Sequence, residues 1–216
     1  MAVFLLTAVP LTFLLTVALM GAQGLPRKTL VTPGIRGGIF ALVCYALFYW
    51  IEQMLVISYD PAQLFLRAVI IDTAGPSIVM MLGCAILCRW LAIERSTDFF
   101  IGWLSFAAGF YTIFGVIEAV YPIGYPSIYQ LFLLPALRVS LVLVVASFMT
   151  AIRGSRVWMR LAWAAALLGF LGLSAFAPQL YELRYTPYSV LATVAFAGAS
   201  VGVTYLLQRV YFRSFL

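Results

Sequence analysis

The sequence predicts an all-α integral membrane protein, a bundle of seven transmembrane helices with the N-terminus outside and the C-terminus inside. Three observations carry this. Of 216 residues, 65% are hydrophobic and 9% charged, against about 45–50% and about 25% in a soluble domain. The apolar residues gather into seven runs, and about 20 such residues cross a hydrocarbon core of ~30 Å. The basic residues fall on every second loop. Residues 1–216 therefore form a single polytopic membrane domain. Its size and composition exclude a soluble enzyme and a nucleic-acid reader.

The first run, 2–24, is interrupted by Pro10, which is expected to bend its helix. It lacks a basic segment before it, and Met20 to Gln23 only faintly resembles a signal-peptidase site. The run is expected to be retained as a span, for a reason that topology supplies below. Residues 25–38, with Arg27, Lys28, Pro33, Arg36 and the pair Gly37-Gly38, read as a loop. The second span is 39–58, followed by a short turn with Asp60-Pro61. The third is 66–87, with Pro76 inside it. Residues 89–98 are the most charged stretch, and Ser96, Thr97 or Asp98 is suited to cap the fourth span, 99–120. An uncharged loop with three tyrosines leads to the fifth span, 130–151, which contains Pro135 and Arg138. The sixth is 161–176 and the seventh 189–207. Between them lies a loop with Glu182, Arg184 and three more tyrosines.

Topology follows from the Arg and Lys residues. Ten of the thirteen lie in the first, third and fifth loops and the C-terminal tail. Two, Arg67 and Arg184, lie in the alternate set, and Arg138 is the last. The excess marks the inner side. Cleavage of the first run would invert every later loop and put the ten on the wrong face, so seven retained spans are expected. The net charge of +6 is thereby explained by the membrane, in which anionic lipid lies against the inner face. A bacterial inner membrane is the expected location. The tyrosines of the outer loops suit an aromatic belt at the interface.

Four charges lie within apolar spans. At 1.5 Å per helical residue, Glu52 is ~9 Å below the outer end of its span and Arg138 ~13 Å. Asp72 and Glu118 sit at similar or shallower depth. All four thus converge on the outer half of the bilayer from four different helices. Tyr45 and Tyr49 share a helix face with Glu52, and Tyr111 shares one with Glu118. Pro76 follows Asp72 by four residues and would free its carbonyl, while Pro135 would bend the fifth span one turn before Arg138. Buried charge at such depth is costly and marks either a structural ion pair or a site. Both readings stay open: a staple pairing Arg138 with Asp72 or Glu118, or an outward-opening site for a ligand, an ion or a proton. Arg67 stands at its rim.

Small residues mark helix contacts. Gly102, Ser105, Gly109 and Thr112 form one stripe on the fourth span, and Gly198 with Gly202 form a GxxxG on the seventh. Such positions let helix backbones approach closely in lipid, here within one chain rather than between copies.

The sequence contains no histidine, which removes the commonest general base, metal ligand and haem ligand. Cys84 and Cys88, spaced by four, share a helix face. Small apolar packing is expected there, not a soft-metal site. Neither a metal nor a cofactor is expected. Lys28, the single lysine, lies outside the spans and offers no buried amine for a retinal Schiff base. A carboxylate paired with arginine is a poor general acid, and no nucleophile motif appears. The function expected is a non-enzymatic component of a membrane assembly, such as a subunit, accessory or sensor-type protein. The alternative is a permease or channel for a small cationic or amphipathic solute. Its partners are membrane lipid, then other membrane proteins or a second copy, or a small solute. Nucleic acid is not among them.

Overall fold

The computed structural model describes residues 27–54, 60–89, 96–120 and 129–211. The expected first span, with Pro10, lies outside the described residues. Among these residues every regular element is helical. They are α1 (Arg27–Met54), α2 (Pro61–Arg67), a π-helical turn (Ala68–Asp72) and α3 (Ala74–Leu87). After them come α4 (Ser96–Val120), a second π-helical turn (Tyr129–Leu133), α5 (Leu134–Gly154), α6 (Val157–Ser174), α7 (Phe176–Glu182) and α8 (Thr186–Tyr211). Among the described residues six segments are long and apolar enough to cross a membrane: Val31–Met54, Pro61–Leu87, Asp98–Ile117, Leu134–Gly154, Val157–Glu182 and Thr186–Val210. This is the architecture of an integral multi-pass membrane protein.

The core runs along α4 and α5. Of their most apolar stretches, 67% and 72% of residues are buried, against 28% in α1 and in α8. The long helices form a row in which α1 packs on α4, α4 on α5 and α5 on α8, while α3 and α6 lie against this row. Phenylalanine rings fill the centre, with Phe106, Phe110, Phe114 and Phe148 fully buried.

Residues 25–38 differ most from the expectation of a loop, since α1 is helical from Arg27. Pro33 and the glycines that suggested a turn lie inside the helix. The glycines act instead on the neighbouring helix. A Cβ on Gly37 would stand 2.1 Å from the Phe106 carbonyl oxygen, and one on Gly109 would stand 2.0 Å from that of Gly34. The parallel helices α1 and α4 therefore touch backbone to backbone, as small residues permit in lipid. Gly102 is buried on the same helix, α4. Gly198 and Gly202 of α8 behave differently, because a Cβ on either would meet nothing within 4 Å. Among the described residues they bring no helix close.

The two prolines expected to kink spans instead begin helices. The chain breaks at Thr73 (φ −130°, ψ −82°). Pro76 then falls in the first turn of α3, where its missing N–H has no helical partner to lose. Pro135 stands likewise at the start of α5, after the second π-helical turn. Asp60 caps α2, with its carboxylate accepting from the Gln63 N–H at 3.4 Å, and Pro61 follows at the first helical position. The third span thus starts at residue 61 rather than 66. The expected loop 177–188 contains most of α7.

Small polar residues buried at membrane depth are largely satisfied within their own helices. Ser140, Ser147, Thr150, Thr193 and Ser200 each donate to the carbonyl four residues earlier, at 2.7–2.9 Å. Ser147 also reaches Thr204 of α8 at 3.0 Å.

Candidate functional site

Arg67 closes the last turn of α2, about six residues below the start of that helix and thus ~9 Å from its end. Its guanidinium meets Glu52 of α1 at 2.8 Å and Glu182 of α7 at 3.8 Å. The charge of Asp72 attracts it as well. One arginine thereby links three elements, of which α7 is far from the other two in sequence. The surrounding contacts join the same elements. Gln179 donates to the Pro61 carbonyl at 2.9 Å, and the Phe65 and Phe176 rings meet at 5.0 Å. Tyr129 stacks on Tyr181 at 5.1 Å. The side chains of Arg67 and Glu52 keep 27% and 21% exposure, and Glu182 keeps 46%. The ion pairs form a partly exposed rim of the bundle.

Arg138 lies in a different setting. It is 1% exposed, and its guanidinium carbon stands 5.3 Å from the centre of the Phe114 ring and 5.8 Å from that of Tyr111. Both distances are within the range of cation–π attraction. These rings are not its whole environment. Tyr45 and Phe48 of α1 meet Phe114 edge-on, at 5.4 and 5.7 Å, and complete an aromatic wall.

Beside this wall a buried hydroxyl chain runs back to the break in the second described span. Tyr111 Oη lies 2.7 Å from Ser77 Oγ. Ser77 in turn donates to the Thr73 carbonyl at 2.8 Å, so the proton between the two hydroxyls comes from Tyr111. Thr73 spends its own hydroxyl on the Ala68 carbonyl at 3.1 Å, the same carbonyl that receives its N–H at 3.2 Å. The π-helical turn leaves backbone acceptors at membrane depth, where each must be satisfied by protein. Thr73 and Ser77, both fully buried, do this.

The expected site residues therefore divide. Glu52 pairs with Arg67 and Tyr111 stands with Arg138, while Asp72 has contacts beyond its attraction for Arg67. Tyr45 reaches that group through Phe114, and Tyr49 is 48% exposed on the outer surface of α1. The side chain of Glu118 lies outside the described residues. Four participants were not among the residues singled out: Glu182, Thr73, Ser77 and, as the centre of the ion pairs, Arg67. The dipeptide Asp60-Pro61 carried a signal for Arg67. An aspartate cap followed by proline marks a helix start, and a helix from residue 61 carries Arg67 into the membrane. Glu182 and Ser77 had no such local signal.

Among the described residues no three of His, Cys, Asp and Glu converge as a metal site. No protein-family model, curated protein or solved structure matches this chain.

Proposed function

We propose that this protein is a non-enzymatic component of a membrane assembly, a subunit, accessory or sensor-type protein, whose outer-half charges hold its helices in register. The observation that carries the reading is the ion-pair geometry of Arg67. Its guanidinium is spent on Glu52 and Glu182, from two other elements, and ion pairs placed between elements favour one register over its neighbours. Arg138, packed over Tyr111 and Phe114, serves the same end at greater depth. Without histidine or a nucleophile motif in the sequence, hydrolytic chemistry has little to work with.

In the proposed topology the run 2–24 adds a seventh span before the six of the structure, which places the N-terminus outside and the C-terminus inside a bacterial inner membrane. The supporting pattern is the ten basic residues on one set of loops and the tail. The arginine-rich inner loops then offer a surface to a partner chain.

A second reading, a permease for a small cationic solute, draws support from one feature. Glu52 and Glu182 together outnumber Arg67 at a partly exposed rim, so these ion pairs carry a surplus of negative charge. Water access distinguishes the two readings. Single cysteines replacing Thr73 and Ser77 in a cysteine-free background are exposed to a membrane-impermeant thiol reagent from outside, with folding checked by gel filtration. The assembly reading expects no labelling in folded protein. Rapid labelling at both positions sinks it in favour of the permease.

A further inference from the structure

The chain has no acid between Glu118 and Glu182, yet this stretch carries Arg138, Arg153, Arg156 and Arg160. Three of the four crowd the corner between α5 and α6. Two residues, Ser155 and Arg156, join these helices. Phe148 and Trp163, equally far from the corner on either side, meet at 5.9 Å, so the two helices fold back on each other. Ser155 is buried and donates to the Ala151 carbonyl at 2.6 Å, which ties the corner to α5. Arg153 turns toward α4, with its guanidinium 4.6 Å from the centre of the Phe99 ring. Arg156 and Arg160 are exposed. They stand one turn apart, since the Arg160 N–H donates to the Arg156 carbonyl at 3.0 Å. The Arg160 guanidinium is fixed by its Nε, which donates to the Ser155 carbonyl at 2.9 Å. Among the described residues neither of these two arginines forms an ion pair.

We propose that this corner is a docking site for an anionic phospholipid, with Arg156 and Arg160 on its phosphate and Trp158 at the boundary between headgroup and acyl chains. Charge complementarity selects the head. Ser147 touches Thr204, so Arg153 of α5 and Arg209 of α8 reach the same end of the bundle. Arg36 of α1 donates to the Leu87 carbonyl, which brings Arg89 to that end as well. Among the described residues the one acid there is Asp98, 7% exposed at the start of α4. The opposite end sets Glu52, Asp60 and Glu182 against Arg67 and Arg184. An anion is thus drawn to the corner and away from the other end. A guanidinium fork matches phosphate oxygens, and one already fixed loses less freedom on binding. The apolar neighbours select the rest of the occupant. Val157 and Trp158 are 69% and 84% exposed, and exposed leucines continue down α6 at Leu161 and Leu168. A soluble phosphate or an acidic peptide would leave this strip uncovered. A phospholipid covers it with its chains while its phosphate meets the arginines, and an indole at that level is where tryptophan concentrates in membranes. The inference requires that α5 and α6 cross the membrane, and it is independent of either reading of Arg67.

The test uses full-length protein in a neutral detergent, titrated with phosphatidylglycerol, phosphatidylcholine or glycerol phosphate, with bound molecules counted by native mass spectrometry. Phosphatidylglycerol is expected to bind more tightly than phosphatidylcholine, and glycerol phosphate not to bind over the same range. The double variant Arg156→Gln, Arg160→Gln should lose about twentyfold in affinity for phosphatidylglycerol, near fivefold for each charge at an anionic headgroup. Arg156→Lys, Arg160→Lys should keep most of it. Trp158→Ala should weaken both phospholipids alike. Arg89→Gln, Arg209→Gln removes the same charge from the same end and should leave the affinity nearly unchanged. Gel filtration and thermal unfolding report whether each variant is folded. Equal binding of the two phospholipids by the folded parent protein overturns the proposal. So does an equal loss in the Arg89, Arg209 variant, which would mean that the whole face attracts lipid without a site at the corner. Binding of glycerol phosphate as tight as that of phosphatidylglycerol overturns it too, because the ligand would then be a soluble anion.

Discussion

Arg67 and Arg138 are the same side chain on two helices of the same bundle, and the fold places them in opposite settings. Arg67 stands at a rim, a quarter exposed, and meets carboxylates at 2.8 and 3.8 Å. Arg138 is sealed, 1% exposed, with aromatic faces against its guanidinium. At the rim, water and ions screen the attraction, so an ion pair adds little to stability. In the interior the charge has no water to return to, and its neighbours form a fixed part of its solvation. The contrast separates charge that links elements from charge around which the core is built.

The comparison is broken most forcefully by Arg138→Ala, which removes the buried charge and the volume that Tyr111 and Phe114 enclose. A loss of about 3–5 kcal/mol is expected, measured by denaturant titration in micelles. Arg138→Met restores much of the volume without the charge. Recovery of most of the loss would show that packing dominates, and a loss as large as that of alanine would show that charge does. Next in size is Tyr111→Phe, which deletes the donor to Ser77 but leaves the ring under the guanidinium. About 1 kcal/mol is expected. A much larger loss would mean that the hydroxyl chain, rather than the ring, supports the site.

The rim responds less. Glu52→Gln should cost about 0.5–1 kcal/mol, and a double-mutant cycle with Arg67→Met should return a coupling of that order, shrinking in high salt as screening grows. Smallest of all is Glu182→Gln, expected to cost below about 0.5 kcal/mol, because this pair is longer and more exposed. A coupling at the rim that is both large and independent of salt would erase the distinction between the two arginines.

Parts of this arrangement were legible in the chain. The spans expected at 99–120, 130–151 and 189–207 fall on α4, α5 and α8, because long apolar runs state their own transfer preference residue by residue. The helix from residue 61 was legible too, in Asp60-Pro61, but a boundary set five residues later left Arg67 at the very edge of the span. Residues 25–38 misled for a physical reason. Glycine and proline usually mark turns, yet Gly34, Gly37 and Gly109 are there to let two backbones meet. Gly198 and Gly202 carry the same local pattern and meet nothing among the described residues. A small-residue pattern says that close approach is sterically allowed, while the neighbouring helix decides whether it occurs.

By itself, then, the sequence determined the class of this protein. Composition and the length of apolar runs are sums of local transfer energies, and they require helices that cross a membrane. Tertiary structure decided the pairings. Which acid meets Arg67, which rings face Arg138, and which hydroxyl Tyr111 meets all depend on how each helix is rotated and which helix lies beside it. Those choices follow from packing among residues far apart in the chain, so no short stretch of sequence records them.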